Sequence, residues 1–369
     1  MNCVEPISQA DKPADPVSLA RVGFCANVPV TRGSIMASNE PRLPAGTVLD
    51  GRFVIGEIVG RSGTATIYQA ADLKQDGLEV AVKVPLPKIE SDPFGYARFR
   101  NEEVIGLELS HPALLKFFPV EEERTRPYLV TEYLKGSTLD RLVSHIRPIQ
   151  EADALAIASA ICTALEHMHS KGYVHRDIKP ANIMICSDGT LRLLDFGLAS
   201  KPQRWRNPIA RLGTPFGTPQ YMAPEQVTQA AADERTDVYC VGAILYELLT
   251  GITPLQNDDA WKSAYQRISG DPIAPRKLNP LISPQVEEII LHALQRKPAS
   301  RYPGVAAFKA ELDAPTKVVI TGYCDRLRAP RLRLSVQATP ILMGLLFGFL
   351  VISALIGLFF FVRGHPMGR

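Results

Sequence analysis

His175-Arg176-Asp177-Ile178-Lys179-Pro180-Ala181-Asn182, followed by Asp195-Phe196-Gly197, is the stretch that decides the reading of this chain. It gathers a carboxylate, two cations and two oxygen ligands for a hard metal ion into one short run. Phosphoryl transfer from ATP needs such a set. A carboxylate must accept the proton of the attacking hydroxyl, and Mg²⁺ must be held against the phosphates by oxygen ligands. Asp177 suits the first task, and Asn182 and Asp195 suit the second.

The run resembles the catalytic loop and metal-binding motif of eukaryotic-like protein kinases, and more of that family's signature follows in order. Val80-Ala81-Val82-Lys83 reads as a buried strand ending in a lysine. The resemblance implies that Lys83 contacts the α- and β-phosphates and pairs with a helix glutamate. The segment from Phe94 to Leu109 has a helical pattern, with Phe99, Val104, Leu107 and Leu109 as its apolar positions. Glu102 and Glu103 both fall in it. Glu102 is preferred because Phe99 before it and His111-Pro112 after it match the family's spacing.

The family's glycine-rich loop is altered. The stretch is Gly60-Arg61-Ser62-Gly63-Thr64-Ala65-Thr66-Ile67-Tyr68. Its first glycine is kept, and Ser62 and Ala65 stand where the second and third would be. Small residues still allow close backbone approach to phosphate, but positive φ is less available to them. A formed but stiffer hairpin is expected, with Gly60, Arg61, Ser62, Gly63 and Ile67 against the nucleotide. Tyr128 to Leu134 reads as a strand running into a hinge. By resemblance, the backbone of Glu132 and Leu134 would bond adenine, with Thr131 at the gatekeeper position.

Further on, Gly217-Thr218-Pro219 and Ala223-Pro224-Glu225 resemble the end of an activation segment. Arg301 is the expected partner of Glu225, and Asp237 is expected to cap the catalytic-loop backbone. Lys179 and Thr218 resemble the serine/threonine class and imply protein substrates carrying those hydroxyls. Thr214, near Arg204, Arg206 and Arg211, is the expected autophosphorylation site, where a phosphate would meet these arginines and Arg176.

Length and composition fit this reading. The chain has 369 residues, 46% of them hydrophobic, with a net charge of +3. One two-lobed domain of about 260 residues fits within it, and no nucleic-acid footprint is visible. Its cysteines lack metal-ligand spacing, and Cys162, Cys186 and Cys240 sit in apolar runs, which indicates buried thiols in a reducing compartment. Residues 1–46 show no sustained period and read as a flexible arm.

Ile341 to Val362 carries no charge. As a helix it spans roughly 33 Å, close to a hydrocarbon core of about 30 Å. Lys317, Arg326, Arg328, Arg331 and Arg333 precede it, and Arg363 and Arg369 follow. The positive-inside rule then places the preceding domain in the cytoplasm. Some of these arginines suit anionic lipid, and Gly344 and Gly348 fit a helix-dimer face, hence a homodimer.

The expected architecture is α+β: a two-lobed protein-kinase fold plus one C-terminal transmembrane helix. The expected bounds are an arm over 1–46 and a kinase domain over 47–315. Within that domain a β-rich N-lobe runs to about 134, and a helical C-lobe covers 135–315. A basic juxtamembrane linker follows over 316–340, a span over 341–362 and a short extracytoplasmic tail over 363–369. The resemblance, to bacterial membrane-anchored serine/threonine kinases, implies ATP and Mg²⁺ as cofactors, with Mn²⁺ as a substitute. Two other readings stand beside it: a membrane-anchored pseudokinase or scaffold, favoured by the altered glycine loop, and a small-molecule kinase.

Overall fold

The alternation through Phe53, Ile55 and Tyr68 predicts paired strands. The computed structural model, which describes residues 43–145, 148–201, 219–228, 230–255 and 260–327, forms them. Strands β1 (Val48–Leu49), β2 (Phe53–Arg61), β3 (Ala65–Asp72) and β4 (Leu78–Pro85) run as a meander. With β5 (Phe117–Phe118) and β6 (Leu129–Glu132) they make an antiparallel sheet of order β1-β2-β3-β4-β6-β5. Phe53, Ile55, Val80, Val82 and Val130 point into one small core beneath it. Burial of each such side chain is worth about 1.5–3 kcal/mol.

Helices α1 (Pro87–Glu90) and α2 (Pro93–Glu108) follow β4. Asp92 caps α2 by accepting the N–H groups of Phe94 at 3.2 Å and Gly95 at 3.0 Å, and Pro93 opens the first turn. The inward face of α2 differs from the expected one. Phe99 and Leu109 are buried, but Val104 and Leu107 are 51% and 44% exposed. Phe99, Glu102, Ile105 and Gly106 form the inner stripe instead. Two charged residues lie on the inward side of α2, because Glu102 and Glu103 find cations there, and a scan for apolar residues overlooks them.

The second lobe begins with a small sheet of β7 (Gly136–Thr138), β8 (Ile183–Cys186) and β9 (Leu191–Leu193). Its helices are α3 (Leu139–His145), α4 (Glu151–Ser170), α5 (Pro224–Val227), α6 (Glu234–Thr250), α7 (Ala260–Ser269), α8 (Pro275–Leu278), α9 (Pro284–Ala293) and α10 (Val305–Asp313). Helix α6 is buried on every side from Thr236 to Leu249, as expected of a helix that is apolar nearly all round. It starts at an Asp233 cap and stops at Gly251, whose φ of 80° an L side chain rarely adopts. Cys162, Cys186 and Cys240 are buried free thiols.

Residues 315–327 run beside α9, although the sequence reading starts a linker at 316. Glu288 of α9 accepts the Thr321 N–H and hydroxyl at 2.6 Å and the Tyr323 N–H at 3.1 Å. The Tyr323 ring stacks on His292 at 5.0 Å. Among the described residues no helix is long and apolar enough to cross a membrane. The expected span 341–362 lies outside them, as do the arm to residue 42, Thr214 and Thr218.

Candidate active site

Lys83 sits near the end of β4, opposite Leu129 of β6 on one side and Ile67 of β3 on the other. Its ammonium lies 2.6 Å from both carboxylate oxygens of Glu102. Burial pulls Lys83 down, but the charges of Glu102 and Asp195 outweigh it and hold the ammonium above its ordinary value. Burial pushes the Glu102 carboxyl up to about 7, only partly offset by Lys83. Glu103 faces elsewhere and pairs with Arg124 at 2.5 Å.

Catalytic-loop geometry rests on α6. The Asp237 carboxylate accepts the N–H groups of His175 and Arg176, each at 2.9 Å, and lies 2.8 Å from Nε2 of His169. Its burial would raise it, but the His169 contact, together with nearby positive charge, keeps it low and therefore ionised. Gln226 in α5 donates to the Arg176 carbonyl at 2.8 Å. Arg176 takes a left-handed φ of 68° and donates to the Ser200 hydroxyl.

Asp177, next in line, receives Lys179 Nζ on Oδ2 at 2.8 Å and Asn182 Nδ2 on the same oxygen at 3.2 Å. Asn182 also donates Nδ2 to the Asp177 carbonyl at 2.8 Å. Its amide oxygen is thereby left for a cation. Asp195, at φ 59°, accepts the Gly197 N–H on Oδ1 at 3.1 Å. Burial alone would raise this carboxyl, but Lys83, that N–H and Lys179 hold it at about 2. One ionised carboxylate and one amide oxygen are hard oxygen donors of the kind Mg²⁺ takes, with water or phosphate filling its other positions. Among the described residues no group of three or more His, Cys, Asp or Glu side chains could hold a metal by itself.

Phe196 is fully buried, 5.8 Å from the Phe117 ring and 6.0 Å from the His175 ring. Asn101, beside Glu102, donates to the carbonyls of Gly197 at 3.2 Å and Ala199 at 3.0 Å. Helix α2 is thus tied both to Lys83 and to the Asp195-Phe196-Gly197 turn.

The loop between β2 and β3 closes on its serine. Ser62 Oγ accepts the N–H of Thr64 at 3.2 Å and of Ala65 at 3.0 Å, while Ser62 N–H reaches the Ala65 carbonyl at 2.9 Å. Gly60 and Arg61 end β2, and Ile67 is half-buried in β3. At the hinge, Thr131 is buried and donates its hydroxyl to the Glu132 carbonyl at 3.2 Å, while Leu134 is half-buried.

Glu225 and Arg301 form a bidentate pair, with both N···O distances 2.7 Å and both residues buried. Asn101, His169 and Gln226 are site-supporting residues that the sequence reading passed over. His169 stands six residues before His175, a spacing that could have flagged it. Asn101 and Gln226 gave no sequence signal.

The protein kinase domain family matches residues 53–311. Serine/threonine-protein kinase PknB of Mycolicibacterium smegmatis is 37% identical over 295 residues, which cover 76% of this chain and 47% of that protein. PknB of Mycobacterium tuberculosis is 36% identical over 268 residues, covering 72% of this chain and 43% of its own length. A probable serine/threonine-protein kinase of Streptomyces coelicolor is 36% identical over 270 residues, covering 72% and 40%. The chain spans less than half the length of these curated relatives. With the lysine–glutamate pair, the capped catalytic loop and the buried Phe196 in one cleft, the chain belongs to the protein kinase family, on its bacterial, eukaryotic-like serine/threonine branch.

Proposed function

We propose that the chain transfers the γ-phosphoryl group of ATP to serine and threonine hydroxyls of proteins at the cytoplasmic face of a membrane. One observation carries the reading: the 2.6 Å Lys83–Glu102 pair coexists with a buried Phe196. Helix α2 and the Asp195 turn then stand together as phosphoryl transfer requires. Asp177 orients the substrate hydroxyl and takes its proton. Lys179, already on Asp177, balances charge on the γ-phosphate. Lys83 positions the α- and β-phosphates, and the hinge backbone at Glu132 and Leu134 takes adenine. Asn182 and Asp195 would hold Mg²⁺, which neutralises phosphate charge when bound.

The similarity to serine/threonine-protein kinases favours protein substrates. The uncharged run 341–362, with its preceding arginines, favours a single-pass anchor and contact with lipid. Gly344 and Gly348 favour a homodimer through that segment. Thr214 is proposed as the activating phosphorylation site, with Thr218 beside the substrate hydroxyl.

One observation favours a non-catalytic scaffold instead. The Ser62 hydroxyl occupies two N–H groups of the loop that would otherwise be offered to phosphate. The full chain, incubated with labelled ATP, Mg²⁺ and either casein or a panel of metabolites, separates the readings. Label on casein that disappears in Asp195→Ala and Asp177→Asn supports the protein kinase. Equal label in wild type and Asp195→Ala refutes it, and label confined to a metabolite points to a small-molecule kinase.

A further inference from the structure

The side of the second lobe built by α8, the start of α9 and the strap 315–327 presents large apolar side chains to solvent. Leu281, between α8 and α9, is 89% exposed, and Val319 and Ile320 of the strap are 77% and 53% exposed. The strap is fixed, not loose. Its Thr321 and Tyr323 are bonded to Glu288, and the Arg326 guanidinium stands over the Tyr323 ring at 4.6 Å. These apolar side chains are therefore held outward by a rigid base.

Charge on this side is mainly positive. Arg276, Lys277, Lys317 and Arg326 are exposed, against Asp325. The neighbouring acids are turned inward and used: Glu287 accepts the Arg276 N–H at 2.9 Å, and Glu288 holds the strap. A cavity of about 210 Å³ opens beside the strap, lined in part by Leu291, Leu294, Leu327, Arg296 and Arg326. The sequence beyond Leu327 brings Arg328, Arg331 and Arg333, and then the uncharged run from Ile341.

We infer that this face rests on an anionic lipid surface, with Leu281, Val319 and Ile320 at the acyl boundary and the surrounding cations among the headgroups. Apolar side chains ringed by Lys and Arg are what an anionic interface takes. A protein partner of the same shape would need acids facing four cations. The inference rests on the proposed membrane anchor and adds to it, because an anchor alone leaves the lobe free to tumble. The face shares no residue with the cleft around Lys83 and Asp195.

The test uses the full chain in vesicles of phosphatidylcholine with phosphatidylglycerol, carrying a benzophenone amino acid at position 281 or 319. The control position is Leu78, an apolar residue of β4 that is 41% exposed. Illumination should give lipid adducts at 281 and 319 at least about fivefold above 78, falling severalfold in phosphatidylcholine alone. Leu281→Asp with Ile320→Asp should abolish the excess at 319 and leave phosphorylation of a soluble peptide unchanged. Equal adduct yields at all three positions, or chain–chain adducts in their place, would overturn the inference. Alkaline extraction of the same vesicles reads the anchor separately. A chain that extracts yet gives adducts loses the anchor and keeps the face, and a chain that stays without adducts does the reverse.

Discussion

Replacing Ser62 by alanine should tighten ATP binding rather than weaken it. In the structure Ser62 Oγ takes the N–H groups of Thr64 and Ala65 at 3.2 and 3.0 Å. On the proposed reading the backbone N–H groups of this loop would cover the phosphates, so nucleotide would have to break the serine's hold first. Ser62 is exposed, which puts each bond near the lower end of its net worth, about 0.5 kcal/mol. Two such bonds come to about 1 kcal/mol, or about fivefold in the dissociation constant. Ser62 has no positive φ, so alanine fits the backbone as it stands. Glycine removes the same acceptor but adds chain freedom costing about 0.5–1 kcal/mol when the loop orders. Ser62→Gly should therefore bind within about twofold of wild type. Calorimetric titration of the full chain with ATP and Mg²⁺ reads both variants. If Ser62→Ala binds ATP as weakly as wild type or more weakly, the serine pre-shapes the phosphate site and the competition argument fails.

Three further outcomes are expected. Burial puts the Glu102 carboxyl at about 7, so its pair with Lys83 is lost as pH falls through that value; transfer rates at saturating ATP should drop from pH 8 to pH 6, and Glu102→Gln should show a low, flat profile over that window. The same raised value has the opposite sign for folding: the native state binds this proton more tightly than the unfolded chain, so the Glu102 contribution favours folding below about 4.5 and is lost as pH rises through about 7. Removing Arg301 as alanine should cost about 3–5 kcal/mol in urea unfolding by leaving Glu225 buried and uncompensated; adding Glu225→Ala should recover part of it, and strictly additive losses would show that the pair is not coupled. A methyl group at Gly106 would lie 2.4 Å from the Phe117 ring, so Gly106→Ala should destabilise by about 1–3 kcal/mol despite its better helix propensity; rescue by Phe117→Leu checks that the clash is the cause.

What was legible in the sequence was what is local. The 175–182 run, Asp195-Phe196-Gly197 and Val80-Ala81-Val82-Lys83 each fix a strand or turn within a few residues, so their geometry follows from their order. The hairpin around Ser62 was legible as a hairpin, but the hydroxyl's choice of the Thr64 and Ala65 N–H groups was not. The sequence pattern gives helix α2 nearly its observed bounds, but the wrong face at Val104 and Leu107. Periodicity counts apolar residues, and this helix turns inward two glutamates that cations satisfy. Gly106 was silent for a related reason: its meaning lies in Phe117, from another element. The strap looks like linker in the sequence because its hold on the lobe comes from Glu288 and His292, far away along the chain.

The two strained positions of the cleft show how distant parts set the chemistry. Arg176 and Asp195, at φ 68° and 59°, sit in a backbone region that costs a non-glycine residue about 1–3 kcal/mol. Neither would stay there alone. Asp237, inside a helix buried on every side, takes the N–H groups of His175 and Arg176 and so fixes the peptide planes just before Asp177. Asp195 is held by its own bond to Gly197 and by Asn101, which grips the carbonyls that follow. The large apolar helix therefore points the backbone just before Asp177, and α2 points the Asp195 turn. Since α2 also carries Glu102, any displacement of that helix would release Lys83 and the Asp195 turn together. On this geometry Asn101→Ala should lower kcat, because it frees the turn, while leaving the Lys83–Glu102 pair and the KM for ATP nearly unchanged. An Asn101→Ala enzyme with unchanged kcat would show that the turn is held without α2, and would remove the link between helix position and the proposed Mg²⁺ site.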